Sequence, residues 1–386
     1  MAGRLLRVRD GGHSARVTSV ELFFDLVFVF AITQISHTLL EHLTWKGAVE
    51  AGLLLMTIWW GWVYTAWCTN WLEPDHPAVR LSLFLLMAAG LVLSTSLPEA
   101  FGERGLVFAL AYSIFQIGRN AFLLLAVRGD RSLFIAIARI MAWFMVSSTI
   151  WIGGGLAAAE ARLAIWGLAL AIEYLGPAAG YWTPGLGASR SEVWTIEGAH
   201  LAERCGLFLI ICLGESILVT GATFARTPWT PEVVTAFLVA FAGSVAMWWI
   251  YFSAAAEAAS ERIAASSDPG ALGRLAFTYV PILLVAGIVV SAVGDELVLA
   301  HPIGHGTPAA AAAILGGAAI YLAGAVAFKR AVFGVWSASR ITGLLALAAL
   351  GPASAHMAPL VLAGAANGVL IVVAAWEALT ISRQTA

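Results

Sequence analysis

Long apolar runs separated by short polar breaks follow one another along this chain from residue 18 to residue 380. A helix that crosses a bilayer needs roughly 20 mostly apolar residues, and the eleventh run is the shortest. The pattern predicts an all-α polytopic membrane helix bundle of about 12 transmembrane helices. The predicted spans are 18–40, 47–70, 79–98, 105–127, 133–156, 162–182, 199–221, 232–256, 273–294, 309–328, 339–353 and 358–380.

The longest polar break, 183–198, is rich in glycine and divides the predicted spans into two groups of six. We therefore expect a first six-helix repeat at 18–182 and a second at 199–380, joined by a cytoplasmic linker. A cytoplasmic N-terminal tail at 1–17 and a C-terminal tail at 381–386 flank them. Because six is an even number, two such copies have the same orientation, as in transporters built from parallel repeats.

Short matches in the same order along the two groups support this repeat. The W-W pair at 59–60 corresponds to the pair at 248–249, and R-L-S-L-F at 80–84 corresponds to R-L-A-F at 274–277. Chance matching among low-complexity apolar helices is the alternative, and the sequence leaves it open.

Composition places the chain in the bilayer. Of its 386 residues, 60% are hydrophobic and only 11% are charged, whereas a soluble domain carries about 25% charged residues. The net charge of −2 offers no basic surface for nucleic acid. The cysteines show no disulfide or metal spacing, and we expect no metal or cofactor.

Gly and Ala runs at 309–318 and 363–366 indicate close helix–helix packing.

Lysine and arginine are distributed unevenly in this topology. With the N-terminus inside, the outside segments hold only Lys46, Arg104, Arg162 and Arg226 of the 21 basic residues, and most of the others fall in inside segments. Because cytoplasmic loops carry an excess of Lys and Arg, the asymmetry predicts cytoplasmic N and C termini.

The first span carries two carboxylates inside an apolar run. Glu21 and Asp25 are one turn apart and share a face of the helix. Ionisable side chains at membrane depth are costly and mark functional sites by default. Asp25 is therefore a candidate for ion binding or translocation, and Glu21 is a candidate for a charge network with nearby arginines.

The seventh span carries a second polar stripe. Arg204 and Glu215 are eleven residues apart, which places them within about 20° of each other on a helix, and His200 lies about 40° to the other side. Glu203 flanks the stripe. We expect His200 and Glu215 to be binding or translocation candidates, and Glu203 and Arg204 to belong to the charge network.

Three further charged residues lie inside predicted spans. Arg119 shares a polar face of the fourth span with Tyr112 and Gln116, Arg139 lies near the start of the fifth, and Glu173 lies near the middle of the sixth. We expect Arg119 and Arg139 to pair with carboxylates at their depth, because a lone ion in hydrocarbon is costly. Glu173 has no evident partner and is a translocation candidate. Two interpretations remain open, a proton or ion pathway and a charge network that fixes helix register.

Two long motifs carry a family resemblance. V-E-L-F-F-D-L-V-F-V-F-A-I-T-Q at 20–34 and H-L-A-E-R-C-G-L-F-L-I-I-C-L-G-E-S-I at 200–217 resemble the bacterial low temperature requirement A family, and W-W-I-Y-F at 248–252 is similar to that family's pattern. The resemblance covers essentially the whole chain. It implies a multi-pass inner-membrane protein linked by name to growth in the cold, without an established molecular activity. On matching positions it points to the charged residues of the two motifs and to Gly214.

The buried acids favour a secondary transporter or an ion- or proton-translocating protein. Its partners would be the lipid bilayer and an unknown small solute or ion, and a homo-oligomer is possible. An intramembrane enzyme acting on a lipid or isoprenoid is an alternative, although the sequence has no D-D-x-x-D motif and no Ser/His nucleophile pair. A membrane scaffold or sensor without transport is a third.

Overall fold

The computed structural model of the protein describes residues 5–7, 16–189, 197–252 and 269–385. In these ranges each predicted span corresponds to a helix, so the prediction of an all-helical polytopic bundle is confirmed. The helices are α1 (Ser19–Glu41), α2 (Trp45–Trp71), α3 (Pro77–Ser96), α4 (Gly105–Ala126), α5 (Arg131–Leu156), α6 (Ala159–Leu175), α7 (Gly198–Arg226), α8 (Pro231–Phe252), α9 (Pro281–Ala300), α10 (Pro308–Phe333), α11 (Ala338–Leu350) and α12 (Pro359–Thr385).

Among the described helices, nine are long and apolar enough to cross a membrane. The other three fall short for different reasons. α2 has 27 residues, but its many tryptophans and its Lys46 and Glu50 lower its mean hydropathy. α6 has only 17 residues and α11 only 13.

Prolines mark where many helices begin. Because proline fixes φ near −65° and has no N–H to leave unpaired, it is favoured in the first turn. Helices with proline at their first residue start at Pro77, Pro231, Pro281, Pro308 and Pro359. The polar breaks of the sequence therefore contain the helix starts as well as the loops.

The structure differs from the predicted spans at two boundaries. α6 ends at Leu175 rather than residue 182, because Gly176 and Pro177 follow it and helices usually end before a proline. The chain then turns at Gly180 and Tyr181, whose φ angles are 57° and 51°. The ninth span begins at the end of a short α-helix, Pro269–Arg274, and continues as a π-helix, Leu275–Tyr279, shortly before Pro281. Proline lacks the N–H that would continue the α-helical hydrogen bonds, so the change in winding falls at this point.

The described helices form two compact units, and the division between them within α7 falls after Leu201. The first unit contains α1 as far as Thr38 and the whole of α2–α6. α4 packs against α2, α3 and α5, and α5 packs against α6. Its core is rich in aromatic rings, with Trp151, Trp166 and Phe108 in mutual contact.

The second unit contains α7 from Ala202 onward together with α8–α12. α9 and α10 pack closely because glycine lies on the shared face. A Cβ at Gly287 would lie 2.5 Å from the backbone nitrogen of Tyr321, and Gly317 faces the backbone of Ser291. The close packing predicted from the run at 309–318 is confirmed.

Candidate functional site

Five of the predicted charged candidates are buried within the first unit. The exposed fraction is 0% for Glu21, Asp25 and His200 and 2% for Arg119 and Glu173. Burying a charge costs several kcal/mol unless partners compensate it. The partners of each group therefore decide what that group can do.

Glu21 closes the N-terminus of α1. Its Oε2 accepts hydrogen bonds from the backbone N–H of Thr18 at 2.9 Å and from the Thr18 hydroxyl at 3.0 Å, which is the geometry of a capping box. Its Oε1 lies 2.9 Å from Nε2 of His200, and Nη2 of Arg7 lies 3.4 Å from Oε2. The arginine at this carboxylate comes from the N-terminal segment, in a part of the chain that the sequence analysis treated as a tail.

Both ring nitrogens of His200 have polar partners in this cluster. Nδ2 of Asn70 donates to Nδ1 of His200 at 3.2 Å. Nε2 of His200 lies between Oε1 of Glu21 at 2.9 Å and Nη2 of Arg7 at 3.2 Å. Asn70 also binds both backbone groups of Glu197, and Arg7 Nε donates to two carbonyls at the end of α2. The cluster thus joins the N-terminal segment, α1, α2 and the start of α7, which favours a structural role for Glu21.

Glu173 on α6 is surrounded by donors from two other helices. Its Oε2 accepts from the hydroxyl of Tyr112 at 2.5 Å, and its Oε1 accepts from Oγ of Ser147 at 2.8 Å and Nε1 of Trp151 at 3.0 Å. Nε2 of Gln116 donates to the Tyr112 hydroxyl at 2.6 Å, so that hydroxyl gives its own hydrogen to Glu173. Three donors on one carboxyl group stabilise its charged form.

Arg119 lies farther along the same face of α4. Its Nη1 donates to the carbonyl of Gly61 at 3.2 Å, and its guanidinium lies 5.2 Å from the ring centre of Tyr64 and 5.4 Å from that of Phe144. Within the described part of the chain, Nε and Nη2 have no hydrogen-bond partner. Arg119 contacts a backbone carbonyl and two rings, rather than forming the expected ion pair with a carboxylate.

Asp25 lies against the tryptophans of α2. Its Oδ1 accepts from Nε1 of Trp62 at 2.7 Å, and the ring of Trp62 packs on Trp59 with centroids 4.9 Å apart. Both tryptophans are buried. The tryptophan-rich second span therefore contributes a hydrogen-bond donor as well as core packing.

Arg139 contacts the loop after α6. Its Nε donates to the carbonyl of Leu186 at 3.2 Å, and its Nη1 donates to Oγ of Ser189 at 3.2 Å. Among the described residues it therefore holds loop atoms rather than a carboxylate.

The stripe predicted on the seventh span continues into the second unit. There Arg204 is fully buried, Glu203 is exposed and Glu215 is half-buried. The three side chains thus differ in environment along a single helix. Part of the Glu215 side chain therefore remains accessible from outside the protein.

One buried charge cluster in the second unit was not predicted from the sequence. Nε and Nη2 of Arg340 donate to the two oxygens of Glu377 at 2.9 and 2.8 Å. The hydroxyls of Ser337 and Ser339 each lie 2.9 Å from the same carboxylate, and Lys329 lies 3.4 Å away. Glu377 in the last predicted span could have indicated this cluster, because a carboxylate at membrane depth needs a cation as its partner.

No three His, Cys, Asp or Glu side chains come together as a metal site within the described ranges. A groove of about 570 Å³ in the second unit is lined by small and apolar residues of α10 and α11, such as Ala312, Gly316 and Leu344. Its lining includes no charged side chain, so it contributes no acid–base chemistry.

The family model for the bacterial low temperature requirement A protein matches residues 16–375. The chain is also 43% identical over 376 residues to the uncharacterized protein RA0937 of Rhizobium meliloti (strain 1021), covering 96% of this chain and 90% of that protein. No solved structure is significantly similar to it. The chain is therefore a multi-pass membrane protein that belongs to the bacterial low temperature requirement A family.

Proposed function

We propose that this protein translocates a proton or another small ion across the bacterial inner membrane, with Glu173 as the group that binds it. One observation carries the proposal. Glu173 is 2% exposed and accepts three hydrogen bonds, yet it forms no ion pair with a cation among the described residues. An ionisable group at membrane depth without a fixed counter-ion is typical of proton relays and ion sites.

The polar face of α4 extends this site along the helix. Tyr112, Gln116 and Arg119 follow one another over seven residues, which spans about 10 Å of helix axis. The hydrogen bonds from Gln116 to Tyr112 and from Tyr112 to Glu173 supply a continuous polar route through part of the first unit. Such a route lets a proton or ion interact with protein groups instead of hydrocarbon.

Asp25 and Glu215 have secondary roles in this proposal. Asp25 is buried and accepts a hydrogen bond from Trp62, and Glu215 is half-buried. We assign Asp25 to a later binding position along this route and Glu215 to a binding position within the second unit. His200, whose ring is fixed by Asn70 and Glu21, supports helix positions. Two parallel six-helix repeats and cytoplasmic termini complete the proposal.

Proton flux into liposomes tests it directly. Purified protein is reconstituted with an enclosed pH-sensitive dye, and a potassium gradient with valinomycin imposes a membrane potential. We expect wild-type vesicles to acidify faster than empty ones, and Glu173→Gln vesicles to fall to the empty rate because the amide cannot take up and release a proton. Replacing external salts one at a time distinguishes a proton from another ion.

Glu50→Gln is the matched control. Glu50 lies in the first turns of α2 and pairs with Lys46 of the same helix at 3.6 Å, so its loss leaves the α4 face intact and flux should stay at the wild-type rate. Wild-type flux no faster than that of empty vesicles for every ion would rule out the proposal. Unchanged flux in Glu173→Gln would remove Glu173 from the mechanism.

A further inference from the structure

We propose that the Nε/Nη2 edge of Arg119 binds the carboxylate group of a small organic anion. The inference rests on the proposed function only for the statement that this anion is transported. Binding itself stands on the geometry around Arg119 and is measured separately from flux.

The guanidinium of Arg119 has donors that the described residues leave unused. It is 2% exposed, and only Nη1 forms a hydrogen bond, to the carbonyl of Gly61 at 3.2 Å. Nε and Nη2 have no acceptor among the residues that the structure describes. Arginine stays charged in proteins, and a buried charged donor without an acceptor costs more than a neutral one. An acceptor with negative charge is the ligand that this edge requires.

The second unit shows what such an edge binds in this protein. Nε and Nη2 of Arg340 hold both oxygens of Glu377, at 2.9 and 2.8 Å. The remaining contacts of Arg340 are backbone carbonyls, from Ala325 to Nη1 at 2.6 Å and from Ile250 to Nη2 at 3.0 Å. The fork of an arginine matches the two oxygens of a carboxylate. Arg119 has a carbonyl contact like those of Arg340, but none of the described residues places a carboxylate on its Nε and Nη2.

The two carbonyl contacts also fall at matching places in the sequence. Gly61 directly follows the W-W pair at 59–60, and Ile250 directly follows the pair at 248–249. Each arginine is therefore anchored to the residue after a W-W pair in the second helix of its group. The difference is that the carboxylate in the second unit belongs to the chain, whereas in the first unit we assign it to a ligand.

The surroundings of Arg119 restrict the shape of this ligand. The rings of Tyr64 and Phe144 lie 5.2 and 5.4 Å from its guanidinium carbon, within the range of cation–π contacts. The two rings meet edge to face, with centroids 5.3 Å apart. They occupy space around the guanidinium, so a compact carboxylate fits better than a bulky tetrahedral anion such as sulfate.

The charge state of Glu173 couples anion binding at Arg119 to the proton of the proposed function. Arg119 and Glu173 interact electrostatically, and the hydrogen bonds from Gln116 to Tyr112 and from Tyr112 to Glu173 lie along the face of α4 that carries Arg119. A charged Glu173 repels an anion near Arg119, and a neutral one does not. Glu173→Gln should therefore bind the anion more tightly than the wild type even though it loses flux.

Acetate binding to the full-length protein in detergent tests the proposal. ¹³C-acetate is titrated at constant pH and ionic strength, and its line broadening is followed by NMR, with sodium chloride and sodium sulfate as competing salts. We expect saturable acetate binding that chloride and sulfate displace weakly. Arg119→Lys keeps the charge but lacks the fork, so affinity should fall about tenfold or more, the equivalent of one charge-assisted hydrogen bond.

Arg139→Lys is the matched control, because Arg139 contacts loop atoms of residues 183–189 and its replacement should leave acetate binding unchanged. If Arg119→Lys fails to fold, the wild-type titration and Glu173→Gln still decide. Absence of saturable binding in the wild type, displacement by chloride at equal strength, or unchanged affinity in folded Arg119→Lys would each overturn the proposal. Acetate binding without flux would refute transport alone.

Discussion

At the scale of single residues, the buried charges differ in how completely the chain satisfies them. Arg340 and Glu377 satisfy each other through a two-point ion pair. Glu173 has hydrogen-bond donors but no cation, and Arg119 has a carbonyl but no anion, among the described residues. Burial alone therefore does not identify function. The proposed function rests instead on incomplete sets of partners, because a folded protein keeps few buried polar groups unpaired.

The complete pair leads to a prediction about stability. Arg340→Met leaves Glu377 buried without its main cation, and breaking one partner of a buried pair costs about 3–5 kcal/mol. Lys46→Ala breaks an exposed pair with Glu50, which should cost less than about 1 kcal/mol. Unfolding by SDS in mixed micelles measures both free energies. Equal effects of the two substitutions would contradict a structural role for the Arg340 pair.

At the scale of helices, the sequence predicts elements well and partners poorly. Apolar length and proline positions identify α1–α12, because a bilayer leaves the backbone few alternatives to a helix. The shared face of Tyr112 and Gln116 also follows from helical period. The donors around Glu173 did not follow, since Ser147 and Trp151 reach it from a neighbouring helix. Which helices become neighbours depends on packing, and periodicity within one helix carries no such information.

Glycine in α9 gives a prediction at this scale. A Cβ at Gly287 would lie 2.5 Å from the backbone nitrogen of Tyr321, so Gly287→Ala must push α9 and α10 apart. We expect a loss of about 1–3 kcal/mol, as for overpacked cores. Gly316→Ala on α10 is the control, because nothing lies within 4 Å of that position. Thermal unfolding in detergent should give a lower midpoint for Gly287→Ala than for Gly316→Ala. Similar midpoints for the two variants would contradict the close approach of α9 and α10 at Gly287.

At the scale of the whole molecule, the number of crossings fixes the side on which each loop lies. The described chain has nine helices that meet the length and hydropathy expected of a span, and α2, α6 and α11 do not. α11 has 13 residues and is about 20 Å long, shorter than a hydrocarbon core of about 30 Å. A short helix can cross where the bilayer thins or neighbouring residues extend to the interface. The distribution of Lys and Arg favours twelve crossings with both termini on the cytoplasmic side.

Single-cysteine labelling decides between nine and twelve crossings. Cys68, Cys205 and Cys212 are buried thiols, and alanine at these positions gives a background for membrane-impermeant maleimide. Cysteines are then placed in pairs that flank α2, α6 and α11, at His42 and Asp75, at Ala158 and Ala188, and at Val335 and Ala353. We expect the two members of each pair to label from opposite sides, as should the control pair Glu103 and Arg128 across α4. If both members label from one side, that helix does not cross. Three such results would leave an odd number of crossings and place the C-terminus outside.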